Sequence, residues 1–141
     1  MENNNSIVQL ITLPKIEDER GNLTFIQNQS QIPFDIERVF WIHDVPGGEF
    51  RGGHAFESQH EFIIALSGSF DIVIKDGLGN IEKITLNRSY MGLYLPPMTW
   101  RHMENFSTNA LSLHFSSSVY VESDYIRDFN EFSESVKKET K

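Results

Sequence analysis

The sequence predicts an all-β fold in which short strands form a sandwich or barrel, with one helix at the C-terminal end. Short runs rich in Val, Ile, Phe and Tyr recur along most of the 141 residues, separated by Gly, Pro, Asn and Asp, a spacing typical of such folds. The clearest run places Phe70, Ile72 and Ile74 at every second position, which indicates a strand with one face in the core. Eleven Phe, four Tyr and two Trp supply ring area for a barrel interior.

In chain order we predict nine strands, at 7–12, 23–28, 37–43, 61–66, 69–75, 80–86, 89–95, 99–105 and 109–117. Asp76-Gly77 and Gly79-Asn80 separate the fifth strand from the sixth and predict a tight hairpin, because Gly and Asn adopt positive φ at little cost. Ser67-Gly68-Ser69 separates the fourth strand from the fifth in the same way.

Towards the C-terminus the pattern becomes helical. Tyr125, Phe129 and Phe132 recur at i, i+4 and i+7, which places them on one face of a short helix over 122–132. The polar ends of the chain, 1–6 and 133–141, are expected to fray. Because the sequence contains no internal repeat or linker, we expect all 141 residues to form one domain.

Composition excludes several classes of partner. Twelve Lys and Arg stand against 20 Asp and Glu, and this net charge of −8 argues against a nucleic-acid groove or an anionic membrane. An anionic small ligand would need a local group of Arg side chains. The sequence has no Cys, no basic leader segment and no apolar run near roughly eighteen residues, so we expect a soluble, cytoplasmic protein.

The stretch 51–56, Arg51-Gly52-Gly53-His54-Ala55-Phe56, has the spacing of the first cupin signature, which reads Gly, HxH, four residues, an acid, six residues and Gly. His54 fills the first His position, Glu61 the acid position and Gly68 the final Gly position. Phe56 occupies the second His position. A looser match to the second signature, P-x-G-x-x-H, begins at Pro97 and ends at His102. Together the two signatures predict a cupin jelly-roll β-barrel.

The metal site of a cupin combines two His, an acid and a later His. Because Phe56 removes one of these ligands, we expect a pocket without a metal or other cofactor. A metal-dependent enzyme is a weaker alternative, since His54, Glu61 and His102 would still supply three ligands for iron or zinc.

Several cations and rings are candidates for ligand binding. Arg20 precedes a strand, where it is either solvated or paired with a phosphate, because a guanidinium matches phosphate oxygens in a bidentate manner. Arg51 stands beside two Gly that allow close backbone approach, which favours a ligand contact. Trp100 and Arg101 either line the pocket, or Trp100 lies in the core and Arg101 is exposed.

Two histidines are candidates for acid–base chemistry. His54 takes the position whose side chain points into a cupin barrel, and an imidazole suits proton transfer at neutral pH. His102 is a second candidate for the acid–base group, after His54. His43 and His60 are interpreted as surface or edge residues, and the role of His114 is left open.

Five segments together resemble the cupin-type, WxcM-like nucleotide-sugar 3,4-ketoisomerases, which act on thymidine-diphospho-4-keto-6-deoxyglucose. They are Arg51-Gly52-Gly53-His54-Ala55, Ala65-Leu66-Ser67-Gly68-Ser69, Gly92-Leu93-Tyr94, Glu104-Asn105-Phe106-Ser107 and Asp124-Tyr125-Ile126-Arg127-Asp128-Phe129. The resemblance implies a jelly-roll barrel, a homodimer able to exchange N-terminal strands, a thymidine-diphospho-sugar ligand and no metal. It also implies a role in making deoxysugars for surface polysaccharide such as lipopolysaccharide O-antigen.

In that family the pocket loop reads R-G-x-H-A-H, so its first His corresponds to His54 and its second to Phe56. A base would remove the C3 proton beside the C4 carbonyl, and the resulting enediol would be protonated at C4. The resemblance and the motifs give His54 and His102 as catalytic residues. They give as substrate-binding residues Arg20, Trp41, Arg51, Glu61, Tyr94, Trp100 and Arg101. Because Phe56 cannot carry a proton, the alternative is a catalytically silent cupin that binds a nucleotide-sugar as a sensor or partner subunit.

Overall fold

Two antiparallel five-stranded sheets pack face to face in the computed structural model, which describes residues 7–139. The first sheet has the order β1 (Gln9–Thr12), β9 (Met91–Leu95), β6 (Glu61–Ser67), β11 (Leu111–Ser116) and β4 (Arg38–Ile42). The second has the order β12 (Tyr125–Ile126), β5 (Arg51–Phe56), β10 (Trp100–Glu104), β7 (Phe70–Lys75) and β8 (Ile81–Leu86). A two-stranded ribbon, β2 (Lys15–Ile16) and β3 (Leu23–Thr24), and a C-terminal helix, α1 (Phe129–Glu139), complete the fold. The predicted all-β cupin barrel with a C-terminal helix is confirmed.

Strand alternation divides the apolar side chains into three clusters. The cluster between the sheets contains Ile63, Ala65, Phe70, Ile72, Leu86, Leu93, Leu95 and Met103. A second cluster covers the outer face of the first sheet, where Phe62, Ile64 and Tyr94 pack against Leu13, Ile32 and Phe34. A third lies between the second sheet and α1, and it contains Ala55, Trp100, Ile126 and Phe132. Each strand therefore has one inward and one outward set of side chains.

The β7–β8 hairpin follows the predicted turn chemistry. Asp76 Oδ1 accepts hydrogen bonds from the backbone N–H groups of Leu78 and Asn80, both at 2.9 Å. Gly79 adopts a φ of 90°, a value that a residue without a Cβ reaches at little cost.

Three strands were not predicted. They are β2, β5 and β12, and each lacks the alternating pattern used to find the others. In β5 the residues Gly52 and Gly53 have φ of 95° and 89°, so no local preference favours a strand there. Pairing with β10 on one side and β12 on the other holds this segment extended.

The predicted helix boundaries were wrong. Tyr125 and Ile126 belong to β12, because they pair with Phe56 and Ala55, and the helix begins only at Phe129. The prediction that the chain frays from residue 133 was also wrong over 133–139, which are helical. The buried Ser133 hydroxyl there donates to the Gly77 carbonyl at 2.6 Å.

The predicted fraying of residues 1–6, 140 and 141 falls outside the part of the chain that the structure describes. Within the described part, α1 is too short and too polar to cross a membrane, and no other helix there could do so.

Candidate active site

A cavity of about 240 Å³ lies inside the barrel and is lined from β4, β5, β6, β10, β11 and β12. Alternation decides which side chains reach it. On β5, His54 and Phe56 point inward, whereas Ala55 packs in the third apolar cluster, under α1. On β10, Arg101 and Met103 point inward. Pairing of β10 with β5 sets Arg101 directly opposite His54.

The floor of the cavity carries a buried ion pair. Arg101 Nη2 donates to Glu61 Oε1 at 2.9 Å, and both side chains are at least 95% buried. Arg101 Nη1 donates to the Thr99 carbonyl at 2.7 Å, and the guanidinium lies 4.7 Å from the Phe56 ring centroid. Burial acts to raise the pKa of Glu61, but the charge of Arg101 and the neighbouring His114 hold that pKa below its ordinary value. Glu61 is therefore a fixed carboxylate at neutral pH.

One donor of this ion pair is unused. Arg101 Nε is buried and has no hydrogen-bond partner among the described residues. Because buried polar groups are almost always satisfied, such a nitrogen beside a cavity is available to an acceptor on a bound ligand.

His54 stands over the same floor. Its ring packs against Phe56 and Tyr125, with centroids 4.8 and 5.2 Å apart, and its buried Nε2 has no hydrogen-bond partner in the part of the chain described. Burial, followed by the charge of Arg101, lowers the pKa of His54 to about 3. His54 is therefore a neutral imidazole at physiological pH, with a free nitrogen able to take a proton.

His114 enters the cavity from β11. Its Nε2 lies 2.8 Å from the Ser112 hydroxyl, and its Nδ1 lies 3.4 Å from Glu61 Oε2. The Phe40 ring stacks on the imidazole with centroids 4.4 Å apart. We name Glu61, Arg101, His54 and His114 the inner cluster.

The entrance to the cavity carries two further cations. Arg127 lies 4.2 Å from the Tyr125 ring centroid and donates to the Glu122 carboxylate in a bidentate pair, at 3.1 Å for each bond. Arg51 borders both the cavity and an adjoining surface groove of about 430 Å³. Both guanidinium groups are donors that match an anionic ligand, and that of Arg127 is shared with the Glu122 carboxylate.

Sequence reasoning missed three of these residues. Tyr125 and Arg127 were part of a motif that supported the resemblance, but the helical spacing assigned that segment to a helix. His114 was left open, since nothing in its local sequence shows that Glu61 lies beside it.

Two predicted substrate-binding residues do not reach the cavity. Trp100 is only 8% exposed and packs beneath α1, 5.4 Å from Phe129. Tyr94 is fully buried on the outer face of the first sheet, where its hydroxyl lies 2.6 Å from His60 Nδ1. Strand alternation turns each of these side chains away from the barrel interior, so neither lines the cavity, and their contact with a substrate stays a prediction. The interpretation of His60 as a surface residue was incomplete, since its ring stacks on Phe34.

Three other predicted residues lie at the edge of the cavity or outside it. The Arg20 side chain is exposed and paired with Asp18 outside the cavity. Trp41 is exposed on β4 and borders the surface groove. His102 lies at the cavity edge, but its Nε2 is 2.6 Å from Glu104 Oε1. The structure therefore brings together His54, Glu61, Arg51 and Arg101 from the predicted set.

The alternative of a metal-dependent enzyme requires His54, Glu61 and His102 as ligands, and these residues do not form a ligand set. Both Glu61 oxygens have protein partners, Arg101 and His114, and the His102 imidazole is held by Glu104. Over residues 7–139, no group of three or more His, Asp or Glu side chains has the arrangement to hold a metal ion. The donor set therefore fits hydrogen bonding to an organic ligand better than metal coordination.

Comparison with known proteins gave one family and several close relatives. The profile of the family described as FdtA, WxcM-like, C-terminal matches residues 6–137. The chain is 37% identical over 130 residues to a TDP-4-oxo-6-deoxy-alpha-D-glucose-3,4-oxoisomerase of Aneurinibacillus thermoaerophilus, covering 92% of this chain and 93% of the relative.

Solved structures give the same result. The sugar 3,4-ketoisomerase QdtA of Thermoanaerobacterium thermosaccharolyticum, in complex with TDP, matches with a TM-score of 0.90 and 37% identity, over 94% of this chain and 96% of that one. The TDP-quinovose 3,4-ketoisomerase WlaRB of Campylobacter jejuni matches with a TM-score of 0.86 and 40% identity, over 90% and 97%.

Proposed function

Because the chain belongs to the FdtA, WxcM-like, C-terminal family, we propose that it is a TDP-4-keto-6-deoxyglucose 3,4-ketoisomerase. The observation that carries the proposal is the His54 imidazole. Its buried Nε2 adjoins the cavity beside the Arg101 Nε donor, and neither nitrogen has a hydrogen-bond partner within residues 7–139. A base and a donor for a developing oxyanion are the two groups that enolisation of a keto sugar requires. A relative that is 37% identical to this chain is named for this reaction, and one that is 40% identical is named a TDP-quinovose 3,4-ketoisomerase.

The reaction begins with proton abstraction at C3. The adjacent C4 carbonyl acidifies this proton, and His54 Nε2 accepts it while the electrons move toward the C4 oxygen. Arg101 Nε, already desolvated, stabilises the negative charge that develops there. Reprotonation at C4 then gives the 3-keto sugar.

Substrate binding prepares His54 for this role. After burial, the charge of Arg101 is the largest cause that lowers the pKa of His54, and Arg127 adds to it. The diphosphate of the substrate offsets these positive charges, so the pKa of His54 rises in the complex and the imidazole becomes a stronger base.

In the proposed complex, different parts of the ligand occupy the cavity and its entrance. The keto sugar occupies the cavity, Arg51 and Arg127 bind the diphosphate, and the nucleoside extends into the groove beside Trp41. Arg20, whose side chain is exposed outside the cavity, stays a predicted nucleotide contact.

A proton NMR time course in deuterated buffer tests the proposal, with TDP-4-keto-6-deoxyglucose as substrate and wild type beside His54→Asn. We expect the wild type to exchange the C3 proton and form the 3-keto sugar. The Asn variant should do neither, because an amide does not act as a base at this pH. No reaction with the wild type, together with TDP binding in a titration, would favour the silent nucleotide-sugar binder that Phe56 suggests.

We also propose that the protein acts as a homodimer in the cytoplasm. Val39 and Trp41 on the edge strand β4, and Leu66 on β6, expose apolar side chains on the outer face of the first sheet. An exposed apolar face beside an open strand edge is suited to pairing with a second copy. Light scattering after size exclusion should give about twice the 16.3 kDa chain mass, and a monomer at micromolar concentration would contradict this.

A further inference from the structure

Isomerisation of a 4-keto sugar to a 3-keto sugar moves two protons. One passes from C3 to C4, and the other passes from the C3 hydroxyl to the C4 oxygen. His54 can carry the first. Phe56, at the position of the second His of the R-G-x-H-A-H motif, cannot carry the other, so any side chain that carries it lies elsewhere in this chain.

Two imidazoles at the cavity, those of His102 and His114, have no role in the mechanism above. His102 lies at the edge with its Nε2 2.6 Å from Glu104 Oε1, so His114 is the better candidate. It is 3% exposed, so solvent contributes little to its environment. Phe40 covers one face of the ring at 4.4 Å, and the Ser112 hydroxyl fixes Nε2 at 2.8 Å. These contacts fix the ring in one orientation, which acid–base catalysis requires.

Glu61 determines which nitrogen bears a proton. The carboxylate is fixed by Arg101 and can only accept a hydrogen bond, so the His114 Nδ1 at 3.4 Å carries the hydrogen. This separation is long for an N–H···O bond, and both residues line the cavity. The Nδ1 proton is therefore weakly held and lies where a substrate oxygen can compete for it.

We propose that His114, oriented by Ser112 and paired with Glu61, is a second catalytic acid–base group that carries the oxygen-bound proton of the isomerisation. This proposal rests on the ketoisomerase function proposed above. It assigns to a side chain on β11 the proton transfer for which Phe56 has no group.

The proton transfers balance in two steps. His54 takes the C3 proton, the C3–H electron pair forms the C3–C4 double bond, and the imidazolium of His114 gives its Nδ1 proton to the C4 oxygen. The neutral His114 then takes the proton of the C3 hydroxyl as the C3 carbonyl forms, and the double-bond electrons take the His54 proton at C4. Both imidazoles return to their starting forms, and no oxidant or reductant is needed.

The surroundings of the two imidazoles suit these opposite roles. Among the charged groups of the cavity, Arg101 and Arg127 disfavour a positive charge on His54, and Glu61 opposes them with a smaller effect than that of Arg101. His114 instead has the Glu61 carboxylate of β6 beside its Nδ1, at 3.4 Å. Two titratable groups whose environments differ in this way divide the roles of base and acid between them.

The test compares two readouts, C3 deuterium exchange and net formation of the 3-keto sugar, in the NMR assay above. For His114→Asn we expect net conversion to fall by about 100-fold or more, whereas C3 exchange, which depends on His54, falls by less than about tenfold. Ser112→Ala, which only removes the hydroxyl at Nε2, should slow conversion but not exchange. His60→Asn is the matched control on the outer face and should change neither.

Restoring the motif gives a second test. Introducing Phe56→His into the His114→Asn protein returns an imidazole to β5, and we expect net conversion to rise by at least about tenfold. If His114→Asn converts within about threefold of wild type, His114 is not catalytic. If exchange and conversion fall by the same factor in both His114→Asn and Ser112→Ala, its role is structural.

The same assay distinguishes a failure of the proposed ketoisomerase function from a failure of the proposed role of His114. A wild type that neither exchanges nor converts overturns the ketoisomerase function and, with it, the role of His114. A wild type that does both, beside an unaffected His114→Asn protein, overturns the role of His114 alone. If His114→Asn does not fold, as judged by circular dichroism, Ser112→Ala decides between the outcomes.

Discussion

His60 and Glu61 are consecutive residues, yet they belong to opposite faces of the first sheet. Glu61 points into the barrel as part of the inner cluster. His60 lies on the outer face with Phe34 and Tyr94, which we name the outer cluster. Both clusters contain titratable side chains held away from solvent, so their difference shows what distinguishes a candidate active site from a structural polar contact.

Shifted pKa values occur in both clusters and therefore do not distinguish them. Burial lowers the pKa of His60 and raises the pKa of Tyr94 to about 12, just as burial lowers that of His54. The outer pair is joined by a 2.6 Å hydrogen bond. The inner cluster instead leaves His54 Nε2 and Arg101 Nε without partners in residues 7–139, beside a cavity. Unsatisfied nitrogens next to space for a ligand are therefore the informative feature.

The largest expected effect comes from removing one charge of the inner cluster. Arg101→Met leaves the Glu61 carboxylate buried without its cation, and we expect the free energy of unfolding to fall by about 3–5 kcal/mol. Urea denaturation measures this loss. The double variant Glu61→Gln/Arg101→Met should recover most of the loss, because the uncompensated charge is gone. A loss below about 1 kcal/mol in the single variant would show that Glu61 is solvated rather than buried.

A smaller effect is expected at the entrance to the cavity. Arg127→Gln removes a cation proposed to bind the diphosphate, and a hydrogen bond to a charged group contributes about 1.5–3 kcal/mol. We expect KM to rise by about tenfold or more with kcat little changed. Arg88→Gln is the control, since the exposed Arg88 side chain donates to the neighbouring Asn87 carbonyl and does not line the cavity. Equal KM values for the two variants would remove Arg127 from the site.

The sequence predicted the fold better than it predicted the site. Alternating strands and Gly-Asn turns are local signals, so eight of the nine predicted strands coincide with strands of the two main sheets and the other with β3. The segment with the most chemistry, β5, was not found by alternation, because its two Gly have no side chains to alternate. Its position follows from pairing with β10, which is a long-range contact.

The motif spacing predicted the inward orientation of two side chains that line the cavity. The HxH spacing placed His54 inward, and the acid position placed Glu61 beside it. Trp100 and Tyr94 were chosen by residue type, and one step of strand alternation turns each away from the barrel interior. His114 could not be assigned, because the carboxylate that gives it a role is 53 residues away in the chain.

The pH dependence of stability provides a finer comparison of the two clusters. The pKa of His54 is lowered from 6.5 to about 3, so between these values the unfolded chain binds a proton that the folded chain does not. Stability should therefore decrease as pH falls through this window. The drop in Tm between pH 7 and pH 5 should be smaller in His54→Asn than in wild type. His60→Asn should reduce it less, since burial alone perturbs His60. Equal slopes in all three proteins would contradict the burial of a neutral His54.

The smallest expected effect tests the outer cluster. Tyr94→Phe keeps the buried ring and removes only the hydroxyl that lies 2.6 Å from His60 Nδ1. A hydrogen bond between neutral groups contributes about 0.5–1.5 kcal/mol, so urea denaturation should show a loss of this size. Because the ring faces away from the cavity, kcat/KM should match that of wild type. A tenfold or larger decrease in kcat/KM, beside unchanged stability, would return Tyr94 to the substrate-binding residues and would mean that the outer face of this sheet also contacts the ligand.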